Sequence, residues 1–368
     1  MPTISYFISD HGFGHASRSV AIIRSLLECD LELSINIHTS NPLSFVRRSL
    51  INIDDPQRVD FHKQTNDIGF IGDKTTGKID YQNTAKEVNS WIKEWYSTYI
   101  FEEYQYLKAK GVDLIISDIA PQPFLLAEKL EIPSIAISNF TWLDIYQNPA
   151  FKLDDLNSIW KAYREASLGL LLPFNLNNTV FCSTLETRLV SRTPTRTKLQ
   201  MRKKLSLESS IPVIYAGTGL SLRTPFLKEW LENTEVTFII GGQHELRHNN
   251  VKAIPTDDSE GQDYIACSDL ALIKLGYSSV SEAIRSKVPI IGIDFPETAE
   301  TKHMKKIIED LGVGICITSE EFFQGRWQKE ISNVFEMRRN YSHLPERFVK
   351  AGETQIANII LDLLEEII

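Results

Sequence analysis

Nine residues near the N-terminus, DHGFGHASR (Asp10 to Arg18), combine types that can do proton chemistry. A neutral imidazole, with an ordinary pKa of about 6.5, takes a proton from a hydroxyl or a water at neutral pH. His15 directly follows Gly14, and Gly12 and Gly14 permit a tight turn and a close approach of backbone to a ligand. Arg18, one turn on, suits a phosphate or a sugar carboxylate, or an acid partner on the surface. The plainer reading of His15 is a helix cap or a satisfied structural histidine, and His11 is the alternative base. A zinc site from this pair is not expected, because H-E-x-x-H needs an intervening Glu and a regular helix, and G-F-G denies both. Farther along, Asp118 closes VDLIISD, where it would orient His15, take the proton itself, or cap the turn before Pro121. Asn139, Thr141 and Trp142 follow IPSIAISN; Trp142 offers a face to a sugar or a place in the core.

A second group lies in KLGYSSVSEAIRSKVPIIGI (Lys274 to Ile293), which reads as strand, glycine turn, helix and strand. Gly276 lets the chain turn, Tyr277 follows, and a helix starting near Ser278 or Ser279 leaves N–H groups for a diphosphate. Glu282 completes an S-x-x-E capping box with Ser279, or it accepts both hydroxyls of a ribose. Gly217-Thr218-Gly219 after IPVIYA and Gly241-Gly242-Gln243-His244 after VTFII are further glycine turns, each alone plain turn chemistry. At strand ends of one sheet the three together weigh more for a ligand site than any one does, and they would aim at the same cleft if that sheet is parallel. Glu297, Glu300 and Thr301 in DFPETAETKH supply polar groups for sugar hydroxyls, or simply an acidic helix start. No G-x-x-x-x-G-K-[ST] occurs, and G-F-G-H-A-S departs from the dinucleotide fingerprint at Ser17. No D-x-D run is present to hold a metal, so neither a metal nor a cofactor is expected.

The elements that must position these residues alternate. TISYFIS, LELSINIHTS, VDLIISD, IPSIAISN and TVFCST read as strands, with helices at ASRSVAIIRSLLE, from Gln82 to Lys108, and at PFLLAEKL. A polar, basic stretch follows, and IPVIYAGTG, VTFIIGG, DLALIKLG and VPIIGIDFP restart the pattern. The expectation is α/β with two parallel-sheet domains and an intervening cleft, the boundary near Pro194. ETQIANIILDLLEEII closes the chain as an amphipathic helix. The aromatic helix carrying Trp91, Trp95, Tyr96, Tyr99 and Phe101 reads as packing first, and as an acceptor-facing or membrane-surface face second.

Composition narrows the class. In 368 residues, 42% hydrophobic and 24% charged, there is room for two domains. A formal net charge of −9 argues against a general nucleic-acid role. Neither a signal peptide nor a membrane span is readable, and Cys29, Cys182, Cys267 and Cys316 are expected as reduced core thiols in a cytoplasmic protein.

KLGYSSVSEAIRSKVPIIGIDFPETAE resembles the donor-binding segment of GT-B glycosyltransferases, in particular the nucleotide-sugar transferases related to the lipid II-forming GlcNAc transferase. SDHGFGHASRS and VDLIISDIAPQPFLLAEKLEIPSIAISNFTWLDIY are similar to the glycosyltransferase-like region of L-arabinokinases and their stand-alone relatives; no galactokinase-type ATP domain is expected within these 368 residues. The resemblance implies two Rossmann-like domains: residues 1–193 on the acceptor side, 194–345 binding the donor, and 346–368 crossing back onto the first. It places Gly276, Ser278, Ser279 and Glu282 at the diphosphate and ribose positions. Where many relatives carry glutamine or asparagine for the donor sugar, this chain has Glu297 and Glu300, which leaves the sugar open.

The function expected is metal-independent, inverting transfer from a nucleotide sugar, a UDP-sugar by preference, to an acceptor hydroxyl. His15, or else Asp118, would be the base. A nucleotide-sugar hydrolase and a non-catalytic nucleotide-sugar sensor are the alternatives. The acceptor is open among saccharide, lipid-linked and small molecules, as is a homodimer.

Overall fold

The computed structural model describes residues 2–51, 53–72, 78–176, 179–217, 235–241, 248–295 and 298–367. The chain divides into two compact units. The first takes Met1–Asp73, Lys78–Val190 and Ala351–Ile368; the second takes Ser191–Lys350.

In the first unit the strands are β1 (Thr3–Ile8), β2 (Ser34–His38), β3 (Val59–His62), β4 (Leu114–Asp118), β5 (Ser134–Ser138), β6 (Leu168–Leu171) and β7 (Thr184–Glu186). They form one parallel sheet in the order β3-β2-β1-β4-β5-β6-β7. β4 and β5 are buried along their whole length, which explains why their sequences read as continuous apolar runs rather than alternating ones. The order reverses between β1 and β4, and Ile8 stands beside Asp118 in register. That reversal is where open parallel sheets leave a crevice beyond the carboxyl ends of their strands.

The second unit repeats the plan. Its strands β8 (Val213–Gly217), β9 (Thr237–Ile240), β10 (Val251–Ala253), β11 (Leu270–Lys274), β12 (Ile290–Asp294) and β13 (Gly314–Thr318) run parallel in the order β10-β9-β8-β11-β12-β13. The reversal falls between β8 and β11, with Gly217 beside Ile273.

Several elements depart from the sequence reading. TVFCST is mostly irregular, with only Thr184 entering β7; the strand before it is LGLL, too short and glycine-interrupted to announce itself. The Gln82–Lys108 helix is two α-helices, Tyr81–Glu94 and Ile100–Lys110, joined by a π-helical turn at Trp95–Tyr99. Trp91 and Trp95 are buried, whereas Tyr96 and Phe101 are exposed. Cys267 is buried, but Cys29 and Cys182 are exposed rather than in the core, because one ends a helix and the other lies in the irregular stretch before β7. Among the described residues no helix is long and apolar enough to cross a membrane. The last helix, Gly352–Ile367, lies in the first unit, where it packs on the first helix, Phe13–Cys29. At its start Gly352 lies against the Arg188–Leu189 backbone, where a Cβ would stand 2.3 Å from the Arg188 carbonyl oxygen.

Candidate active site

In the first unit the chain leaves β1, turns at Gly12 and enters the first helix at Phe13. Gly12 has φ 75°, a conformation that costs any residue with a Cβ about 1–2 kcal/mol. Gly14 lies inside the first helical turn. The turn puts His15 and Arg18 on the helix face that meets the end of β4.

There Asp118, wholly buried, gathers four donors. Arg18 grips both carboxylate oxygens, Nε to Oδ2 at 2.7 Å and Nη2 to Oδ1 at 2.6 Å. Ser19 donates its hydroxyl to Oδ2 at 3.1 Å, and His15 Nδ1 lies 2.7 Å from Oδ1. Nδ1 lies 3.0 Å from Arg18 Nη2 as well, but the shorter contact to the carboxylate oxygen assigns the proton to Nδ1, since two lone pairs at that distance would repel. The imidazole is thereby held as the Nδ1–H tautomer, and Nε2 becomes the basic nitrogen. Among the described residues Nε2 has no hydrogen-bond partner, and His15 retains 7% exposure. Burial works to raise the Asp118 carboxyl, but Arg18 and His15 hold it down at about 2. It is thus a fixed anion that orients His15, and it does not cap the turn before Pro121. Asn139 accepts from Arg18 Nη1, so the guanidinium is committed inside the protein and not on its surface.

Asp118 is itself pinned. Ile119 sits at φ 56°, an unusual conformation for a β-branched residue. Its carbonyl accepts from Tyr163 Oη, which in turn accepts the Trp142 amide at 3.0 Å. Thr141 is spent on a capping box with Asp144 at the head of the helix Trp142–Tyr146. The Trp142 ring has no exposed surface and stacks on Tyr146, so of its two sequence readings the structure shows the core one.

A second acidic pair underlies the turn. Asp10 accepts the amides of Ser40, Asn41 and Asn66, each at 2.7 Å, and ties β1 to the loops after β2 and β3. Asp67 accepts the Asp10 amide at 2.9 Å and the Trp142 indole N–H at 3.0 Å. Burial, with Asp10 adding to it, pushes the Asp67 carboxyl up to about 7. Sequence reading passed over Asp67 and Asn66, which lie in a stretch without periodicity; Asp10 stood in the quoted run itself.

In the second unit Gly276, φ −140°, caps the helix Tyr277–Arg285. The helix starts at Tyr277, so Ser279 lies inside its first turn and no Ser279–Glu282 capping box forms. Glu282 instead accepts Arg192 Nε at 2.9 Å, both side chains buried, and Arg192 Nη1 reaches the Ser259 carbonyl. Arg192 was not foreseen, since it belongs to a basic stretch that reads as linker. Nothing lies within 4 Å of a Cβ built on Gly276, so neither strain nor crowding requires a glycine there. Ser278 is buried and Ser279 half-buried. Lys274 ends β11; burial draws its ammonium down, and Glu300 opposes that. Glu300 and Thr301 open the helix Ala299–Asp310, which Thr298 caps with Thr301. Gly217 ends β8, while Thr218, Gly219, Gly242, His244 and Glu297 lie outside the described residues.

No protein-family model matches the chain. L-arabinokinase of Arabidopsis thaliana is 25% identical over 351 residues, covering 92% of this chain and 32% of that protein. The chain thus spans about a third of the length of that curated relative. Solved structures are similar over nearly their whole length. They include spinosyn forosaminyltransferase SpnP, with TM-score 0.70 and 10% identity over 99% of each chain. Arabidopsis thaliana UGT89C1 complexed with UDP-L-rhamnose gives 0.66 and 13% over 99% of each. MurG of Acinetobacter baumannii gives 0.58 and 15% over 100% of each. The chain has the GT-B fold, two Rossmann-like domains, as its second-half motif led one to expect.

Proposed function

We propose that this protein is a glycosyltransferase that moves a sugar from a nucleotide sugar, a UDP-sugar by preference, to an acceptor hydroxyl with inversion and without a metal. The observation that carries the reading is the His15–Asp118 pair, 2.7 Å apart at the strand-order reversal of the first sheet. In this mechanism His15 Nε2 takes the proton of the acceptor hydroxyl as its oxygen attacks the anomeric carbon. The bond from that carbon to the diphosphate breaks on the opposite face, and the nucleoside diphosphate leaves. Asp118 does not move a proton; it stabilises the imidazolium that forms, as a buried carboxylate behind a catalytic histidine does.

The leaving diphosphate would be met in the second unit by the amide groups that open the helix after Gly276, with Ser278 and Ser279 beside them. The open space around Gly276 supports a close approach by phosphate oxygens. Glu282, held by Arg192, would accept the ribose hydroxyls. Solved relatives described as complexes with UDP and UDP-L-rhamnose support a UDP-sugar as donor.

The test is release of nucleoside diphosphate from a panel of UDP- and GDP-sugars, with and without a pool of acceptors. Acceptor-dependent release, lost in His15→Ala, is the expected result. Release with water alone would assign a hydrolase, and tight donor binding with no turnover, unchanged in His15→Ala, a sensor.

A further inference from the structure

On the far side of the first sheet's strand reversal, three residues the mechanism does not use converge. His38 ends β2, His62 ends β3, and the two are direct register partners on neighbouring parallel strands. Glu103 comes to them from the helix Ile100–Lys110. Each offers a ligand atom within 4.8 Å of the others. His62 Nε2 lies 2.9 Å from Glu103 Oε1, and His38 Nδ1 lies 3.6 Å from Glu103 Oε2. From this arrangement we propose a Zn²⁺ site formed by His38 Nδ1, His62 Nε2 and the Glu103 carboxylate, clipping β2, β3 and that helix together.

The distances fit. Tetrahedral zinc with ligand bonds of about 2.0–2.1 Å holds its ligand atoms about 3.4 Å apart. The two His–Glu separations, one to each carboxylate oxygen, lie on either side of that value, and one ligand atom from each residue falls within 4.8 Å of the other two. The donor set, two imidazoles and one carboxylate, is one that zinc takes. A hydrogen-bonded cluster alone leaves part of this unexplained. His38 has no exposure and Glu103 has 5%, yet His38 Nδ1 and Glu103 Oε2 are both buried without a hydrogen-bond partner among the described residues. Two such atoms pointed at one another are costly to bury, and a cation between them would satisfy both.

The surroundings hold the rings in place, as outer partners of metal ligands do. His38 Nε2 faces Ser5 Oγ at 3.3 Å, and its ring stacks on Phe7 at 4.0 Å. His62 stacks on Tyr106 at 4.1 Å. Lys110, the nearby cation, is paired with Asp60 at 2.6 Å. The His62 side chain is 28% exposed, which provides an entry path and a fourth position for water. The role would be structural: the His38 carbonyl accepts from the Asn66 side chain, and the Asn66 backbone N–H donates to Asp10. Binding would need both ligating nitrogens free of a proton, each neutral ring keeping its proton on the other nitrogen.

The experiment uses the full chain, stripped with chelator and titrated with Co²⁺ and then Zn²⁺. Expected are one equivalent of Co²⁺ with the visible absorption bands of a tetrahedral site, loss of those bands when Zn²⁺ is added, and a raised melting temperature. His62→Ala and Glu103→Gln should each weaken Zn²⁺ by at least about 100-fold, since even outer partners of a ligand are worth about 10–100-fold. Absence of stoichiometric metal on the wild-type protein overturns the proposal. Metal that binds equally well to both variants, with circular dichroism showing them folded, overturns it too, because the ion then sits elsewhere.

Discussion

Arg18 and Asp118 meet as a two-pronged pair with 1% and 0% exposure, and the same carboxylate oxygen that accepts from Arg18 Nη2 faces His15 Nδ1. The anion behind the histidine is thus neutralised and positioned by a cation that no ligand can reach. Arg18 serves here as a positioning residue: its separate donors to Asp118 and Asn139 lock the carboxylate in one orientation.

His15→Ala should lower acceptor-dependent turnover by about 10²–10⁴-fold, the range for losing a general base. Donor binding, read by titration calorimetry, should stay within about twofold. A loss of donor affinity with intact turnover would place His15 in binding and not in proton transfer.

Asp118→Asn removes a carboxylate held at about 2 in the folded protein, against 3.8 ordinarily. Its contribution is present above about pH 4 and is lost as the pH falls toward about 2, because the unfolded chain takes up the proton first. The shift corresponds to about 2–3 kcal/mol. Stranding Arg18 raises the expected cost near neutrality to about 3–5 kcal/mol. Urea unfolding across that pH window should show the gap between variant and wild type narrowing as the solution is acidified.

Asp67 works in the opposite sense. Its folded pKa of about 7 means that the native protein keeps a proton that the unfolded chain gives up near pH 4. Between about pH 4 and 7 this group therefore makes stability fall as pH rises. In Asp67→Asn that slope should flatten; an unchanged slope in denaturant midpoints would show that the proton resides elsewhere.

Gly276→Ala and Gly12→Ala should separate ligand space from backbone strain. Gly276 has room for a Cβ and an extended φ, so alanine should leave unfolding within about 0.5 kcal/mol of wild type while weakening UDP binding. Gly12, at φ 75°, should lose about 1–2 kcal/mol. Equal UDP affinity in Gly276→Ala would remove that helix end from the donor site.

Arg192→Ala should cost about 3–5 kcal/mol by leaving Glu282 buried and alone. Glu282→Gln keeps the shape, and UDP should raise its melting temperature less than that of wild type. An identical UDP response in the two proteins would confine Glu282 to its pairing with Arg192.

Much of this was readable beforehand. β1, β4, β5, β11 and β12 are buried runs of β-branched and aliphatic residues ending in glycine or polar turns, and such runs mark themselves. LGLL before β7 and GICIT in β13 are short, and nothing local distinguishes them from loop. His15, Arg18, Asp118 and Asn139 were each visible, as was Asp118 as a partner for His15; the grip of Arg18 on Asp118 and Asn139 was not, since it depends on which strands become neighbours. Asp67 and Arg192 are important through partners distant in sequence, Asp10 and Glu282, and no spacing rule reaches that far.

The helix Gly352–Ile367, which packs on the first helix, sets an order for synthesis. Residues 191–350, the whole second unit, emerge from the ribosome before the segment that completes the first. The later-numbered unit can therefore finish folding first, while the surface of the first helix waits for its cover. A nascent chain halted before residue 351 would expose that apolar surface, and it is there that a chaperone would be expected to bind.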